Sequence, residues 1–367
     1  MKKMNIGIVG VGAISSIYLE NITNMFGEIE IRGVCDLIPE RAQKAEEKYG
    51  VRVYRDMHEM FADPEVDIVL NLTRPYEHFE VGMAALKAGK HVYSEKPLGA
   101  TLEEGKLLKA EAEARGLRLG GAPDTFLGAG VQTCRKLIDD GFIGTPVGAQ
   151  AFMVCRGHES WHPDPEFYYK HGGGPLFDMG PYYLTALVNL LGPVAEVAGM
   201  AKASFPQRLI TSQPHAGTVV DVDVDTYVTG LLRFENGAVG TIFTTFDAYA
   251  AEVPRIEVFG SAGTLSVPDP NTFGGPVRLF RPEMKEFLAI PLTFGYPTNS
   301  RALGLADMAK AIQTGRPARA DVSLTFHVLE IMSGILQAAR EGKNITMTTR
   351  PERPAPMVNT PMTGILD

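Results

Sequence analysis

Asn5-Ile6-Gly7-Ile8-Val9-Gly10-Val11-Gly12-Ala13-Ile14-Ser15 decides the fold, because a short apolar strand pattern runs into closely spaced glycines and then into a helical pattern. A dinucleotide fingerprint sits at such a junction. Gly10 permits the tight turn, and Gly12 lets the backbone approach a pyrophosphate at the helix N-terminus. Ser15 stands where a third glycine is usual, and it is small enough for close helix-to-strand packing. Gly10, Gly12, Ala13 and Ile14 are therefore the expected cofactor contacts of the turn. Asp36 closes the second strand pattern about twenty residues on, where a carboxylate accepts hydrogen bonds from ribose hydroxyls and repels a 2′-phosphate. NAD is favoured over NADP, and Leu37, not an arginine, follows the acid.

Outward from this turn, residues 5–122 alternate short apolar runs with longer helical patterns, the rhythm of βαβ units around a parallel sheet. Six strands are expected, at 5–9, 29–35, 51–54, 67–72, 91–94 and 117–120, mostly continuous apolar runs suited to a sheet covered on both faces. Pro39 fits the first turn of a helix ending before Gly50, and Thr101 with Glu104 forms a capping box. The expected fold class is an α/β Rossmann domain with a parallel doubly wound sheet over residues 1–123.

After Pro123 the pattern changes to one helix, at 131–139, followed by long alternating strands with Gly-rich and Pro-rich turns. An α+β domain with a large, mostly antiparallel open sheet is expected over 124–347, ahead of a Pro-rich, extended tail at 348–367. Val222, Val224, Val228, Leu232 and Phe234 put one strand face inward, with Asp221, Asp223, Asp225 and Arg233 on the other. Those aspartates read as a solvated face and not as metal ligands. Late helices are expected at 303–313 and 324–340.

With 367 residues, 45% of them hydrophobic, the chain can bury a large core. Its 35 basic and 43 acidic residues give a net charge of -8 without a Lys/Arg cluster, which argues against nucleic acid as a partner. Gly7, Gly10 and Gly12 interrupt the N-terminal apolar run, so a signal peptide is not expected, and no run approaches the roughly 20 apolar residues of a membrane span. Cys35, Cys134 and Cys155 are odd in number and widely separated, as expected of buried free thiols in a reducing cytoplasm.

His91-Val92-Tyr93-Ser94-Glu95-Lys96-Pro97 places Glu95 and Lys96 at the carboxyl end of a sheet strand, the edge where open α/β sheets bind ligands. A lysine there can donate to a substrate oxygen and lower the pKa of a neighbouring acid. Gly172-Gly173-Gly174-Pro175-Leu176-Phe177-Asp178-Met179-Gly180-Pro181-Tyr182 follows downstream, with Asp178 and Tyr182 four apart on one helix face.

Together with Thr73-Arg74-Pro75 and His78, these segments resemble the glucose-fructose oxidoreductase, inositol dehydrogenase and rhizopine-catabolism (Gfo/Idh/MocA) family over nearly the whole chain. The resemblance implies that Lys96 contacts substrate and nicotinamide, that its bond to Pro97 can be cis, and that Thr73, His78 and Glu95 lie beside the cofactor. Inositol dehydrogenase-like members carry a histidine where Tyr182 stands here. The Asp178–Tyr182 pair is more similar to the glucose-fructose oxidoreductase pattern, which implies Lys96, Asp178 and Tyr182 as the catalytic set, with Tyr183 the competitor for the tyrosine role. A phenol of unperturbed pKa near 10 needs a nearby cation to act as a base near neutrality.

His158-Glu159-Ser160-Trp161-His162 matches the HExxH zinc pattern literally. Gly157, Pro163 and Pro165 preclude the helix that would bring both histidines to one metal, so no metal site is expected. Trp161 and His162 are better suited to lining a sugar pocket. The expected function is NAD(P)-dependent hydride transfer between nicotinamide and a secondary alcohol or carbonyl of a sugar, polyol or related ring. NAD-dependent glycoside cleavage through transient oxidation and elimination stays open, as does a ligand-sensing protein on the same fold. The resemblance also implies a homodimer or homotetramer.

Overall fold

The computed structural model describes residues 2–367. The first third of the chain builds a sheet of six parallel strands, β1 (Met4–Val9), β2 (Ile29–Cys35), β3 (Arg52–Val53), β4 (Ile68–Asn71), β5 (His91–Ser94) and β6 (Leu119–Gly121). Their order is β3-β2-β1-β4-β5-β6, so the chain reverses direction across the sheet between β1 and β4 and opens a crevice at the carboxyl ends there. Ile6, Ile8, Ile68, Val69, Leu70 and Val92 are all inaccessible to solvent, because helices cover both faces.

Those helices are α1 (Ser15–Asn24), α2 (Pro39–Tyr49), α3 (Met57–Ala62), α4 (His78–Lys87) and α5 (Leu102–Arg115). Pro39 opens α2 and Gly50 ends it in the left-handed conformation. Thr101 accepts a hydrogen bond from Glu104 N while the Glu104 carboxylate reaches back to Thr101 N, closing the expected capping box.

Beyond α6 (Ala129–Asp139) lies a sheet of nine strands backed by helices. Its members are β7 (Pro146–Val154), β8 (Val194–Lys202), β11 (Tyr227–Phe234), β12 (Val239–Thr245), β13 (Ile256–Gly260), β14 (Gly263–Val267), β15 (Val277–Phe280), β16 (Leu288–Ile290) and β17 (Ile345–Thr346). Neighbours run antiparallel except β7 and β12. A small ribbon of β9 (Gln207–Leu209) and β10 (Val219–Asp221) stands apart. The expected continuous strand through Val222 and Val224 is therefore broken. Asp223 N donates to Tyr169 O, and Asp223 pairs with Lys170, which draws this stretch away from the ladder before β11 begins. Within β11 burial alternates as expected, with Val228, Leu232 and Phe234 inside.

Three helices, α7 (Gly174–Leu191), α8 (Leu303–Thr314) and α9 (Val322–Glu341), tie the halves together. Helix α9 packs on β8 of the large sheet and on α5 of the small one, and Ala320 O accepts from Gly121 N at the edge of β6. By length and composition α9 could cross a membrane, but 67% of its apolar stretch is buried inside the protein, which marks it as a core helix. The tail has no regular structure after β17, yet it is pinned. Glu330 holds Thr348 and Thr349, and Arg319 holds Ala355, Pro356 and Asp367. All three cysteines are free; Cys35 and Cys134 are buried, whereas Cys155 is partly exposed and departs from that expectation.

Candidate active site

Gly10 has φ +92, and a Cβ on it would lie 2.9 Å from the Leu72 backbone, so both conformation and space demand glycine. Gly12 differs. A Cβ there would meet nothing within 4 Å, which leaves an open cradle in front of the first turn of α1. That turn carries no acidic residue and no side-chain cap; Ser15 N donates to Gly12 O at 3.2 Å, and the helix N-terminus beyond it suits an anion. Ser15 is buried and its hydroxyl donates to Gly12 O at 2.7 Å, bracing the loop from behind. Ala13 is exposed on the rim, with Ile14 half-buried as the residue that caps α1. Asp36 lies alongside, accepting Val11 N at 2.6 Å and Ile38 N at 2.8 Å. The cradle, the helix N-terminus and the neighbouring carboxylate fit a dinucleotide.

The next loop is organised by Asn71, which the sequence reading passed over as a strand residue. Its Oδ1 accepts both the Thr73 backbone N–H and the Thr73 hydroxyl, the latter at 2.7 Å. His78 is 1% exposed, with Nδ1 2.7 Å from Pro97 O and Nε2 3.0 Å from Thr73 O. Burial lowers its pKa against the pull of those carbonyls. The ring therefore ties the Thr73 loop to the Lys96–Pro97 turn and presents no nitrogen to the crevice. Glu95 is also buried, accepting the Tyr18 hydroxyl at 2.7 Å and the Lys96 N–H.

Lys96, whose bond to Pro97 is cis, leaves the end of β5 and crosses to the second half of the molecule. Its Nζ donates to Asp178 Oδ1 at 2.7 Å and to Asp178 O at 2.8 Å, and lies 5.4 Å from the centre of the Tyr182 ring. Asp178 and Tyr182 share a face of α7, one turn apart. The other carboxylate oxygen, Oδ2, is 3.1 Å from His158 Nε2. Burial opposes the charge on Lys96, yet the negative charge of Asp178 outweighs it and raises the lysine pKa above its ordinary value. Burial likewise disfavours the Asp178 carboxylate, but Lys96 holds it well below the usual range. Tyr182 is pushed up by burial, with Lys96 and Arg301 pulling the other way. Tyr183, fully buried, has a hydroxyl without a partner among the described residues and no contact with Lys96, so Tyr182 is the tyrosine of this cluster.

His158, the first histidine of the HESWH segment, reaches Asp178; His162 instead accepts the Asp164 N–H through Nδ1. Both lie in a turn and not a helix, and Trp161 between them is 62% exposed. Sequence reasoning weighed His158 only as a zinc ligand. The signal that could have found it is Gly157, the residue before it, which takes a φ of +94 that favours glycine. Arg301, held by Asn271 at 2.7 Å, comes from 119 residues beyond Tyr182 with no local signal to announce it. Across the mouth, Arg74 Nη2 pairs with Asp164 Oδ2 at 2.5 Å, and a cavity of about 210 Å³ lies there between Arg74, Tyr76, Asp164, Glu166, Phe167 and Lys170.

A dinucleotide cradle facing an ammonium, a carboxylate and a phenol defines a nicotinamide-dependent oxidoreductase. The comparisons agree: residues 4–121 match the GFO/IDH/MocA oxidoreductase family with its NAD-binding Rossmann fold, and residues 131–266 match the GFO/IDH/MocA C-terminal domain. The chain belongs to the GFO/IDH/MocA family and is an NAD-binding oxidoreductase. It is 29% identical to myo-inositol 2-dehydrogenase of Thermotoga maritima over 263 residues, 71% of this chain and 74% of that protein. Levoglucosan dehydrogenase of Pseudarthrobacter phenanthrenivorans is 26% identical over 290 residues, 72% of this chain and 73% of that one. In fold, the chain superposes on a levoglucosan dehydrogenase complex with NADH at TM-score 0.80, with 22% identity, covering 95% of this chain and 100% of the other. An NAD-binding oxidoreductase from Klebsiella pneumoniae superposes at TM-score 0.81 with 21% identity, covering 94% and 99%.

Proposed function

We propose that this chain transfers hydride between NAD and a secondary alcohol or carbonyl of a sugar, polyol or related ring. The observation that carries the reading is the Lys96–Asp178 contact at 2.7 Å, which fixes an ammonium group at the carboxyl edge of the sheet beside Tyr182. Bound NAD supplies a nicotinamide that accepts or returns the hydride. Gly10, Gly12, Ala13, Ile14 and Asp36 hold the cofactor, with Thr73, His78 and Glu95 shaping the loops beside it. Lys96 donates to the reacting oxygen and stabilises negative charge as the O–H bond breaks. Tyr182 hydrogen-bonds the same oxygen and shares the proton with Lys96, while Asp178 fixes the direction of the ammonium group. Trp161 and His162 line the approach for a hydroxyl-rich ring.

The experiment is a panel of inositols, sugars and anhydrosugars offered separately with NAD and NADP, read at the nicotinamide absorbance. Net reduction of NAD by a polyol, lost on Lys96→Ala, is the expected result. Glycoside cleavage without net absorbance change would replace this reading by transient oxidation and elimination. NAD binding without turnover across the panel would replace it by a sensor.

A further inference from the structure

Arg301 has no part in the function assigned above, yet the fold directs it to Tyr182 by several independent devices. Helix α7 packs on the turn at Thr125–Leu127, and Lys96, Pro123 and Pro181 line one small void, so the Tyr182 segment and the chain entering that turn lie together. Asp124, 1% exposed, accepts the Gly304 N–H at 3.0 Å, which docks the first turn of α8 at the same place. From the dinucleotide side, Asn21 on α1 donates to Asn299 O at 3.1 Å and to Arg301 O at 2.9 Å. Ala302, the residue after Arg301, is fully buried with φ +83, a left-handed conformation that an alanine adopts only where its surroundings impose it. Backbone strain is thus held at the position that aims the arginine.

The guanidinium is fixed as well. Nη2 donates to Asn271 Oδ1 at 2.7 Å and Nη1 to Asn299 Oδ1 at 2.9 Å. Both acceptors are neutral amides, which orient the group without cancelling its charge. It lies beside the Tyr182 hydroxyl, and each group acts on the other. Burial pushes the phenol up while Lys96 and Arg301 pull it down; burial opposes the charge on Arg301, and Tyr182 favours it. Lys96 already answers the Asp178 carboxylate at 2.7 Å. Arg301, bonded to amides instead, is the less compensated cation of the two.

We propose that Arg301 positions and activates Tyr182, its amide-held guanidinium serving the phenol as a second cation besides Lys96. The inference rests on the dehydrogenase reading. In oxidation the O–H and C–H bonds of the substrate break and C=O forms. Two electrons leave with the hydride to NAD, and the proton passes to the Tyr182 phenolate, which returns it to water. A second cation lowers the cost of that phenolate in a buried place. Without it the phenol stays protonated near neutrality and accepts no proton.

The test places a fluorinated tyrosine, whose phenol is more acidic, at position 182 and follows its fluorine signal against pH in the NAD-bound protein. Arg301→Met is expected to raise the midpoint by about 1–3 pH units, and Arg301→Lys to return it most of the way. Asn271→Asp leaves Arg301 in place and answers its charge with a carboxylate, so the midpoint should rise there too, which keeps the test decisive where Arg301→Met does not fold. The groups facing Tyr182 and Arg301 are Asp178 on α7, Glu95 and Lys96 at the end of β5, Tyr168 before α7, Tyr18 on α1, and Asp124, which burial raises to about 6. The fluorine signal belongs to position 182 and separates its ionisation from theirs. With a polyol that the wild type oxidises, Arg301→Met should lower kcat about tenfold or more at neutral pH, with KM changed less than about threefold. The rising limb should move to higher pH, and the fluorinated tyrosine should restore part of the rate, which a merely structural arginine would not allow. A midpoint that stays within about half a unit in Arg301→Met, or in Asn271→Asp where the first does not fold, overturns the inference while leaving the dehydrogenase reading intact. A wild type inactive on every polyol, with the midpoint still moved by Arg301→Met, sinks the dehydrogenase reading and upholds the action of Arg301 on Tyr182.

Discussion

Lys96 and Asp178 meet at 2.7 Å although 82 residues separate them, and they come from opposite halves of the molecule, one from the end of β5 and the other from α7. Their side chains are 16% and 12% exposed, so the pair is largely desolvated and each charge depends on the other. Removing one partner of such a pair strands the other, at a cost of about 3–5 kcal/mol. Lys96→Ala is expected to lose roughly 10²–10⁴ in kcat and also to unfold at lower denaturant. The sign of the pH effect follows from the two shifts. Asp178 is depressed, so its contribution is present above its unfolded pKa near 4 and is lost as pH falls below that. Lys96 is raised, so its contribution is present below about pH 10 and is lost as pH rises through the folded value. Denaturant titrations should therefore show the gap between wild type and Lys96→Ala flat from about pH 5 to 9 and closing in acid. A gap that widens below about pH 4 would contradict the pairing.

The two glycines of the first turn should behave oppositely. Gly10→Ala forces a side chain into a positive φ and into the Leu72 backbone, and is expected to destabilise the fold by about 1–3 kcal/mol. Gly12→Val projects into open space, so the thermal midpoint should hold while NADH binding weakens by about tenfold or more, read by nicotinamide fluorescence. Tight NADH binding by Gly12→Val would show that the cradle is not the pyrophosphate seat.

These contrasts mark what the sequence could and could not disclose. Strands β2 and β5 are legible to the residue because their apolar runs are bounded by glycine, lysine and acid signals, and the α5 capping box is local chemistry. The site residues on motifs, Lys96, Asp178 and Tyr182, converge because each motif fixes its own residue to a strand end or a helix face. His158 and Arg301 were not legible. Their approach depends on loops whose paths are set by tertiary packing, and the literal zinc pattern drew attention from the bond His158 makes to Asp178. The stretch after Asp221 failed for a related reason: alternation persists through Val222 and Val224, but Lys170 and Tyr169 take over its polar groups.

Glu330 on α9 is the clasp of the C-terminal tail, accepting the backbone N–H and the hydroxyl of both Thr348 and Thr349. Burial disfavours its charge, but these donors, together with His327, hold its pKa at about 2. The depressed value means that the clasp is fully present above the unfolded pKa near 4.3 and is lost as pH falls from there towards 2. Glu330→Gln should cost about 1–3 kcal/mol and expose the tail to protease at neutral pH. The difference from wild type should shrink below about pH 4, where wild type loses the same bonds. Limited proteolysis with mass detection of the 348–367 fragment reads both effects, and an equally protected tail in the variant would dismiss the clasp.

Asp36 is engaged in the free protein by two backbone N–H groups, those of Val11 and Ile38, which fixes its carboxylate before any ribose arrives. The next side chain, Leu37, is 92% exposed and offers no cation to a 2′-phosphate. Charge-assisted hydrogen bonds of this kind contribute about 1.5–3 kcal/mol each, so Asp36→Ala should raise the KM for NAD on the order of tenfold to a hundredfold. NADP should gain relative to NAD, because repulsion of the 2′-phosphate disappears with the carboxylate. Steady-state kinetics with both cofactors on one polyol gives the ratio directly. If the ratio of kcat/KM values stays at the wild-type figure after Asp36→Ala, the choice of cofactor is made elsewhere on the crevice and Asp36 serves the glycine loop alone.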